Sequence, residues 1–353
     1  MNRCQQNGLS LVELMVAVAI SLLLMMGVIT IFIGSRVSYE TTQRVSRIQE
    51  NGRVALDQIV SELRSAGFQG CARPNPASLR ANEFAITTLP NPTALLWNYA
   101  ISAEGFDAGA DLSSVITLSP VPNANSDILV VRSPRRDEPA LKVFESQANP
   151  ADPLMVTWDA SSTVAESDSL MVSDCDARAF FRVTSLAATG GGKQIAHTTL
   201  NNASDTLLHP FKKGAEVVPV QTAIYYVAGR IIDPGAVDPD DPSNFVPALW
   251  RKVGAAAPEE VADGVEQMEV LYGLDSAGGD ARVDEYKKAS DVTDWSEVVS
   301  VAVALLVRSP EPYGTEDDNR KYDLLGTLVG PFPDRYQRQV FTATVALRNH
   351  VFD

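Results

Sequence analysis

From Leu9 to Ile33 the chain holds 25 residues with a single charge, Glu13. As a helix this run would be about 37 Å long, against a hydrocarbon layer of about 30 Å, so it can span a bilayer with some tilt. The pattern then changes. Val45, Ile48, Gly52, Ala55, Ile59, Leu63 and Ala66 recur at spacings of three and four, with Arg44, Arg47, Glu50, Asp57 and Glu62 largely off that stripe. Such a stripe predicts an amphipathic helix lying on a core. No proline occurs before Pro74, so one helix is expected from Leu9 to about Ala66, roughly 87 Å long, ending at Gly67 and Gly70. Gly52 on the apolar face permits close backbone approach, and Gly27 and Gly34 are places where the helix can bend or unwind.

Past Cys71 the periodicity is that of short strands. Asp127–Ser133, Ala140–Glu145, Leu154–Trp158, Ser169–Ser173 and Ala179–Ser185 form one set. Ala223–Ala228, Val265–Tyr272, Val298–Val307 and Val340–Leu347 form another. In the last, Phe341, Ala343, Val345 and Leu347 share one face and Thr342 and Thr344 the other. The Asp/Pro-rich stretch Asp233–Pro242 reads as an exposed loop. The expected fold class is α+β: a long N-terminal helix packed on a large β-rich head with antiparallel sheets. Expected divisions are residues 1–8, the apolar helix 9–33, its amphipathic continuation 34–70 and the head 71–353. Two β subregions would meet near residues 210–247.

The net charge is −15, with 44 acidic against 29 basic residues. Phosphate backbones are repelled by such a surface, and no Lys/Arg cluster with interleaved aromatics is present, so nucleic acid is not an expected partner. Of three cysteines, Cys4 precedes the apolar run and Cys71 and Cys175 follow it. Removal of the N-terminal segment would leave an even pair, as an oxidising compartment favours.

The first eight residues, Met1 to Gly8, carry Arg3, and Arg36, Glu40 and Arg44 follow the apolar run, so charge alone orients the helix weakly. Ala17-Val18-Ala19 has the spelling of a secretory cleavage site, but apolar residues continue for 14 positions beyond it. Cys4 lacks the small residues that precede a lipoprotein cysteine. An uncleaved anchor stays open as an alternative. Glu13 argues against it, because a carboxylate near the end of an apolar helix costs a few kcal/mol to insert unless protonated or paired. Cleavage between Gly8 and Leu9 would create an α-amine four residues before Glu13, available to the carboxylate of a neighbouring chain.

Gly8-Leu9-Ser10-Leu11-Val12-Glu13-Leu14 resembles the type IV prepilin motif: a glycine before the scissile bond, a hydrophobic first mature residue, and glutamate fifth. Arg47–Arg53 and Leu63–Cys71, with Val172–Cys175, Phe181–Val183 and Val345–Asn349, are similar to the PilW family of minor pilins. That resemblance implies cleavage after Gly8 by a prepilin peptidase and N-methylation of Leu9. It further implies that Glu13 sets subunit registration. The expected place is the inner membrane with a periplasmic head, then the pilus, at its tip. Implied partners are the bilayer before assembly, the inner-membrane assembly platform, the major pilin, other minor pilins and a large tip adhesin. A Cys71–Cys175 disulfide would close a loop of about 100 residues, worth roughly 4–5 kcal/mol in the chain-entropy model; two buried free thiols are the alternative.

Catalytic constellations are not found in the sequence, and neither enzyme activity nor a cofactor or metal is expected. His197, His209 and His350 have no metal-ligand spacing. Gly190-Gly191-Gly192-Lys193 lacks the remaining P-loop residues and reads as a loop. The acidic groups Asp238–Asp241, Glu316–Asp318 and Asp275–Glu285 miss the EF-hand pattern and read as solvated loops. Rival readings are a J-type pseudopilin of type II secretion and an adhesin or other ligand-binding head.

Overall fold

A computed structural model describes residues 11–68, 70, 85–174, 176–207, 209–232, 245–276, 282–313 and 316–347. Gly8, Leu9, Cys71, Cys175, His350 and the loop Asp233–Pro242 lie outside the described residues.

Helix α1 runs unbroken from Leu11 to Ser65, passing through Gly27 and Gly34. It stops because Gly67 enters the left-handed region at φ +67 and its N–H bonds to Arg132 O at 3.0 Å. Glycine is the residue that adopts that conformation at least cost, so the expected stop is observed.

Among the described residues eighteen strands follow. The first group is β1 (Ala85–Thr87), β2 (Ala103–Phe106), β3 (Ile128–Pro134), β4 (Leu141–Glu145), β5 (Leu154–Val156) and β6 (Ser169–Ser173). Next come β7 (Arg178–Arg182), β8 (Ser185–Thr189), β9 (Gly192–Ala196), β10 (Glu216–Ile231), β11 (Phe245–Val253) and β12 (Glu259–Asp263). The last are β13 (Val265–Leu274), β14 (Glu285–Lys287), β15 (Val298–Arg308), β16 (Tyr322–Leu324), β17 (Thr327–Val329) and β18 (Arg338–Ala346). A long helix on antiparallel sheets is the α+β architecture read from the sequence.

Strand β10 is the spine of the head. Its first residues pair with β4 and β6, in a lobe that also holds β5, β7, β8 and β9. Its later residues pair with β3 on one side and β11 on the other. Beyond β11 and β12 the chain turns at Gly264, φ +79, where a Cβ would lie 2.8 Å from Arg308 O. A side chain there would clash with backbone, so the corner into β13 requires glycine. A four-stranded sheet, β14-β13-β15-β18, completes the head.

The second half of α1 lies on these sheets. Ile48, Ala55, Ile59, Leu63 and Ala66 are buried with Leu129 and Val131 of β3, Tyr225 of β10, and the inner residues of β13, β15 and β18. All belong to the expected stripe. Gly52 is the closest approach: a Cβ on it would sit 2.3 Å from Phe341 Cε2 of β18. In β18 the expected alternation holds, with Val345 and Leu347 buried and Thr342 and Thr344 exposed.

One stripe assignment is corrected. Glu62, placed off the apolar face, is 3% exposed. At about 100° per residue it sits only about 20° from Ala55 around the helix, and donors on the sheet draw it inward. A second correction concerns Asp318, read as part of a solvated loop. It is buried and ion-paired to Arg338 at 3.4 Å and Arg320 at 2.8 Å, and it accepts from Tyr322 Oη at 2.8 Å. Its neighbours Glu316 and Asp317 are exposed, as expected. Gly190 and Gly191 form the tip of the β8–β9 hairpin, a loop as read.

Candidate functional site: one helix with two surroundings

Every residue of α1 from 11 to 39 is exposed, and the first buried position is Ile48. The exposed part is overwhelmingly apolar: its most hydrophobic 18-residue stretch has a mean hydropathy of 2.8, with none of it buried. A soluble head does not leave a helix of this kind in water, since each exposed leucine or isoleucine forgoes about 1.5–3 kcal/mol of burial. By length and composition the segment can cross a bilayer. Glu13 lies in its first turn, where the partial positive charge of the helix N-terminus favours a carboxylate.

The head begins to touch the helix near Thr41. Thr41 Oγ1 donates to Tyr313 Oη at 3.1 Å, and the Arg44 guanidinium lies 5.2 Å from the Tyr313 ring centre and 3.8 Å from Glu311. Asn51 donates to Asp263 at the end of β12. The contact tightens toward the helix end, where Glu62 is enclosed. Ser133 Oγ and Gln221 Nε2 donate to Oε1, the latter at 2.7 Å. Tyr225 Oη and Arg251 Nη2 donate to Oε2, each at 3.1 Å. These donors come from β3, β10 and β11.

Four donors, one of them a guanidinium, make a buried carboxylate tolerable. Burial works against the Arg251 charge, yet the carboxylates of Glu62 and Glu259 raise its pKa above the ordinary arginine value. Burial likewise pushes Tyr225 above the ordinary phenol range, and the adjacent Glu62 charge adds to this. The tyrosine thus stays a neutral donor. Sequence reading missed this site. The available signal was the position of Glu62 at the margin of the apolar stripe; its partners lie 71 to 189 residues away.

A second buried ion cluster fastens the β16–β17 excursion to the sheet. The Arg338 side chain, 1% exposed, reaches Asp334 at 2.7 Å and Glu266 at 3.0 Å, and its guanidinium lies 3.7 Å from the Phe332 ring centre. This arrangement is structural, since its hydrogen-bonding capacity is spent within the head. His197 is buried against Asp152 O at 3.0 Å, and desolvation lowers its pKa. His209 contacts Asp174 at 3.2 Å.

Two family models match the chain. Residues 3–29 match the prokaryotic N-terminal methylation motif, which spans Gly8, Leu9 and Glu13. Residues 236–349 match the type IV pilus-assembly protein W family. The C-terminal third of the chain is thus similar to the PilW family, and its N-terminus to the methylation motif. The PilW match covers β11 to β18 and so includes the Val345–Asn349 segment of the resemblance, whereas the segments at the end of α1 lie outside it. Curated proteins give no match. Together the two matches support a type IV pilin-like protein of pilus assembly, and pilin domains of this kind indicate a structural role. The exposed apolar helix and the methylation motif fit a membrane-anchored pilin.

Proposed function

We propose that this chain is a PilW-type minor pilin made as a prepilin, cut between Gly8 and Leu9 by a prepilin peptidase and N-methylated on Leu9. It rests in the inner membrane through α1 with its head in the periplasm. The observation that carries this reading is the coincidence of the methylation-motif match with a helix whose residues 11–39 are all exposed. A helix so apolar on every side has two physical refuges, lipid and a bundle of like helices.

On this reading the chain leaves the bilayer by packing its helix with those of other minor pilins and the major pilin. Glu13 pairs with the new α-amine of a neighbouring chain and fixes the axial register between them. The pair removes a charge that each helix alone would carry into an apolar layer. A few unlike subunits joined in this way form a first helical turn at the tip, beneath a large adhesin, and lower the barrier to adding major pilin. The assembly platform of the inner membrane supplies the displacement.

A Cys71–Cys175 disulfide would tie the helix end to the first lobe. The described neighbours support it: Gly70 adopts φ +68, and a Cβ on it would sit 2.5 Å from Ser173 Oγ. The chain therefore approaches β6 just before Cys71 and two residues ahead of Cys175.

The direct test is the mass of the N-terminal peptide of mature protein recovered from membranes. A peptide beginning at N-methylated Leu9 is expected. A mature chain beginning elsewhere contradicts the proposal.

A further inference from the structure

The turn between β6 and β7 carries two carboxylates, and the segment leading toward β10 brings an imidazole beside them. Asp174, Asp176 and His209 each offer one ligand atom, and these three atoms lie within 4.8 Å of one another. His209 is 35 residues from Asp174 along the chain, so no spacing rule read from the sequence connects them.

Both sides of the set are held in place. Asp174 Oδ1 accepts from Asp176 N at 3.0 Å and from Ala177 N at 2.9 Å, which fixes the turn and leaves Oδ2 toward His209. On the other side Leu207 and Phe211, both buried in the core of the first lobe, bracket His209. Leu207 N donates to Pro150 O at 3.0 Å, and Phe211 N to Gln147 Oε1 at 2.9 Å. The imidazole rests edge-on against the Phe211 ring, with centres 5.1 Å apart. Its Nε2 lies 3.2 Å from Asp174 Oδ2.

That separation suits a hydrogen bond, and it also suits two ligands of one ion. Atoms held about 2.1 Å from a tetrahedral or octahedral ion are about 3.0–3.4 Å apart. The hydrogen bond accounts for two of the three groups and leaves the Asp176 carboxylate, a like charge close to Asp174, unanswered. Lys212 Nζ lies 3.6 Å from Asp176 Oδ2, but these side chains are 72% and 67% exposed. Such a surface pair is weak, and the ammonium can swing out to make way for a stronger cation. The donors select the ion. Calcium takes about six to eight oxygens, whereas an imidazole with two carboxylates suits zinc. We propose that Asp174, Asp176 and His209 bind one Zn2+ ion, with water completing its coordination. Bound there, the ion ties the β6–β7 turn to the segment that runs from Leu207 to Phe211.

The site makes no use of α1, so its failure and that of the prepilin reading are distinguishable: one is read by metal titration, the other by the mature N-terminus. The test is calorimetric titration of zinc chloride into the full chain, without a polyhistidine tag, in detergent micelles after chelator treatment. One-to-one binding in the micromolar range is expected, with a rise in melting temperature when zinc is in excess. His209→Ala should weaken binding at least about tenfold, since even a residue that only supports a ligand is worth that much. Asp176→Asn should do the same, and because Asp176 is exposed this variant keeps the fold. Lys212→Ala should bind no more weakly than wild type, and Asp317→Asn, in an exposed acidic loop, should bind equally. Calcium chloride in excess should leave the titration unchanged. No one-to-one binding at micromolar zinc, wild-type affinity in His209→Ala or Asp176→Asn, weaker binding in Lys212→Ala or Asp317→Asn, or displacement by calcium would each overturn the proposal.

Discussion

Two glutamates on one helix have opposite surroundings. Glu62 is enclosed by a serine, a glutamine, a tyrosine and an arginine drawn from three strands. Glu13, 49 residues earlier, stands in an apolar segment whose described residues are all exposed up to residue 39. The first carboxylate is answered within the chain, and its job is complete when the head has folded. On the proposed function the second pairs with the new α-amine of a neighbouring chain. On that reading one continuous helix separates stability from assembly: the seated half carries folding energy, and the bare half is the proposed association surface.

The largest effect expected from disturbing the seated half comes from Glu62→Ala. It strands Arg251 and three polar donors in a buried site, and breaking such a pair costs about 3–5 kcal/mol. Denaturant unfolding of the full chain in micelles measures it. A loss below about 1 kcal/mol would mean that Glu62 is not the tie between helix and sheet.

Gly52→Ala should come next. Alanine improves intrinsic helix propensity by about 1 kcal/mol, but its methyl meets the Phe341 ring, and overpacking of this kind costs typically about 1–3 kcal/mol. A net loss of about 1 kcal/mol is expected, relieved when Phe341→Leu is added. A double-mutant cycle reads the coupling directly, and additive losses would show that the two positions do not meet.

A smaller effect follows pH. Asp127 accepts from Val270 N and Ala108 N, but burial raises its pKa to about 6, with Glu269 and Asp107 adding to the rise. A carboxyl that holds its proton more tightly folded than unfolded adds stability as pH falls through 6 toward 4. The gain should be about 1–2 kcal/mol between pH 7 and 5. Asp318 and Asp334 act in the opposite sense. Asp318 is lowered by its bonds to Arg320 and Tyr322 despite a desolvation that opposes this, and Asp334 by its bond to Arg338. Their contribution is lost as pH drops below about 4. Melting temperature should therefore pass through a maximum between roughly pH 4 and 6, and Asp127→Asn should flatten its high-pH side.

The two halves of α1 were unequally legible in sequence, and so were the strands. Periodicity alone located Ile48, Gly52, Ala55, Ile59, Leu63 and Ala66, because a helix on a core repeats every 3.6 residues and needs no knowledge of what it packs against. Glu62 was misplaced for the complementary reason: its burial depends on Ser133, Gln221, Tyr225 and Arg251, all remote in sequence. Strand β6 was located to the residue, and β15 nearly so, as runs of branched and apolar side chains. By contrast β8, mostly exposed serine, alanine and threonine, β11, interrupted by Pro247, and β12, mostly acidic, hide their strand character. Edge positions and hairpins impose weak patterns because only one neighbour constrains them.

The most direct measurement of the central claim compares Glu13→Ala with wild type in two readouts, the melting temperature of the purified full chain and the number of surface pili on cells carrying the variant. The account predicts an unchanged melting temperature and a marked loss of pili. Normal piliation in the Glu13→Ala strain, or a head that unfolds earlier, would contradict the division of one helix into a folding half and an assembling half.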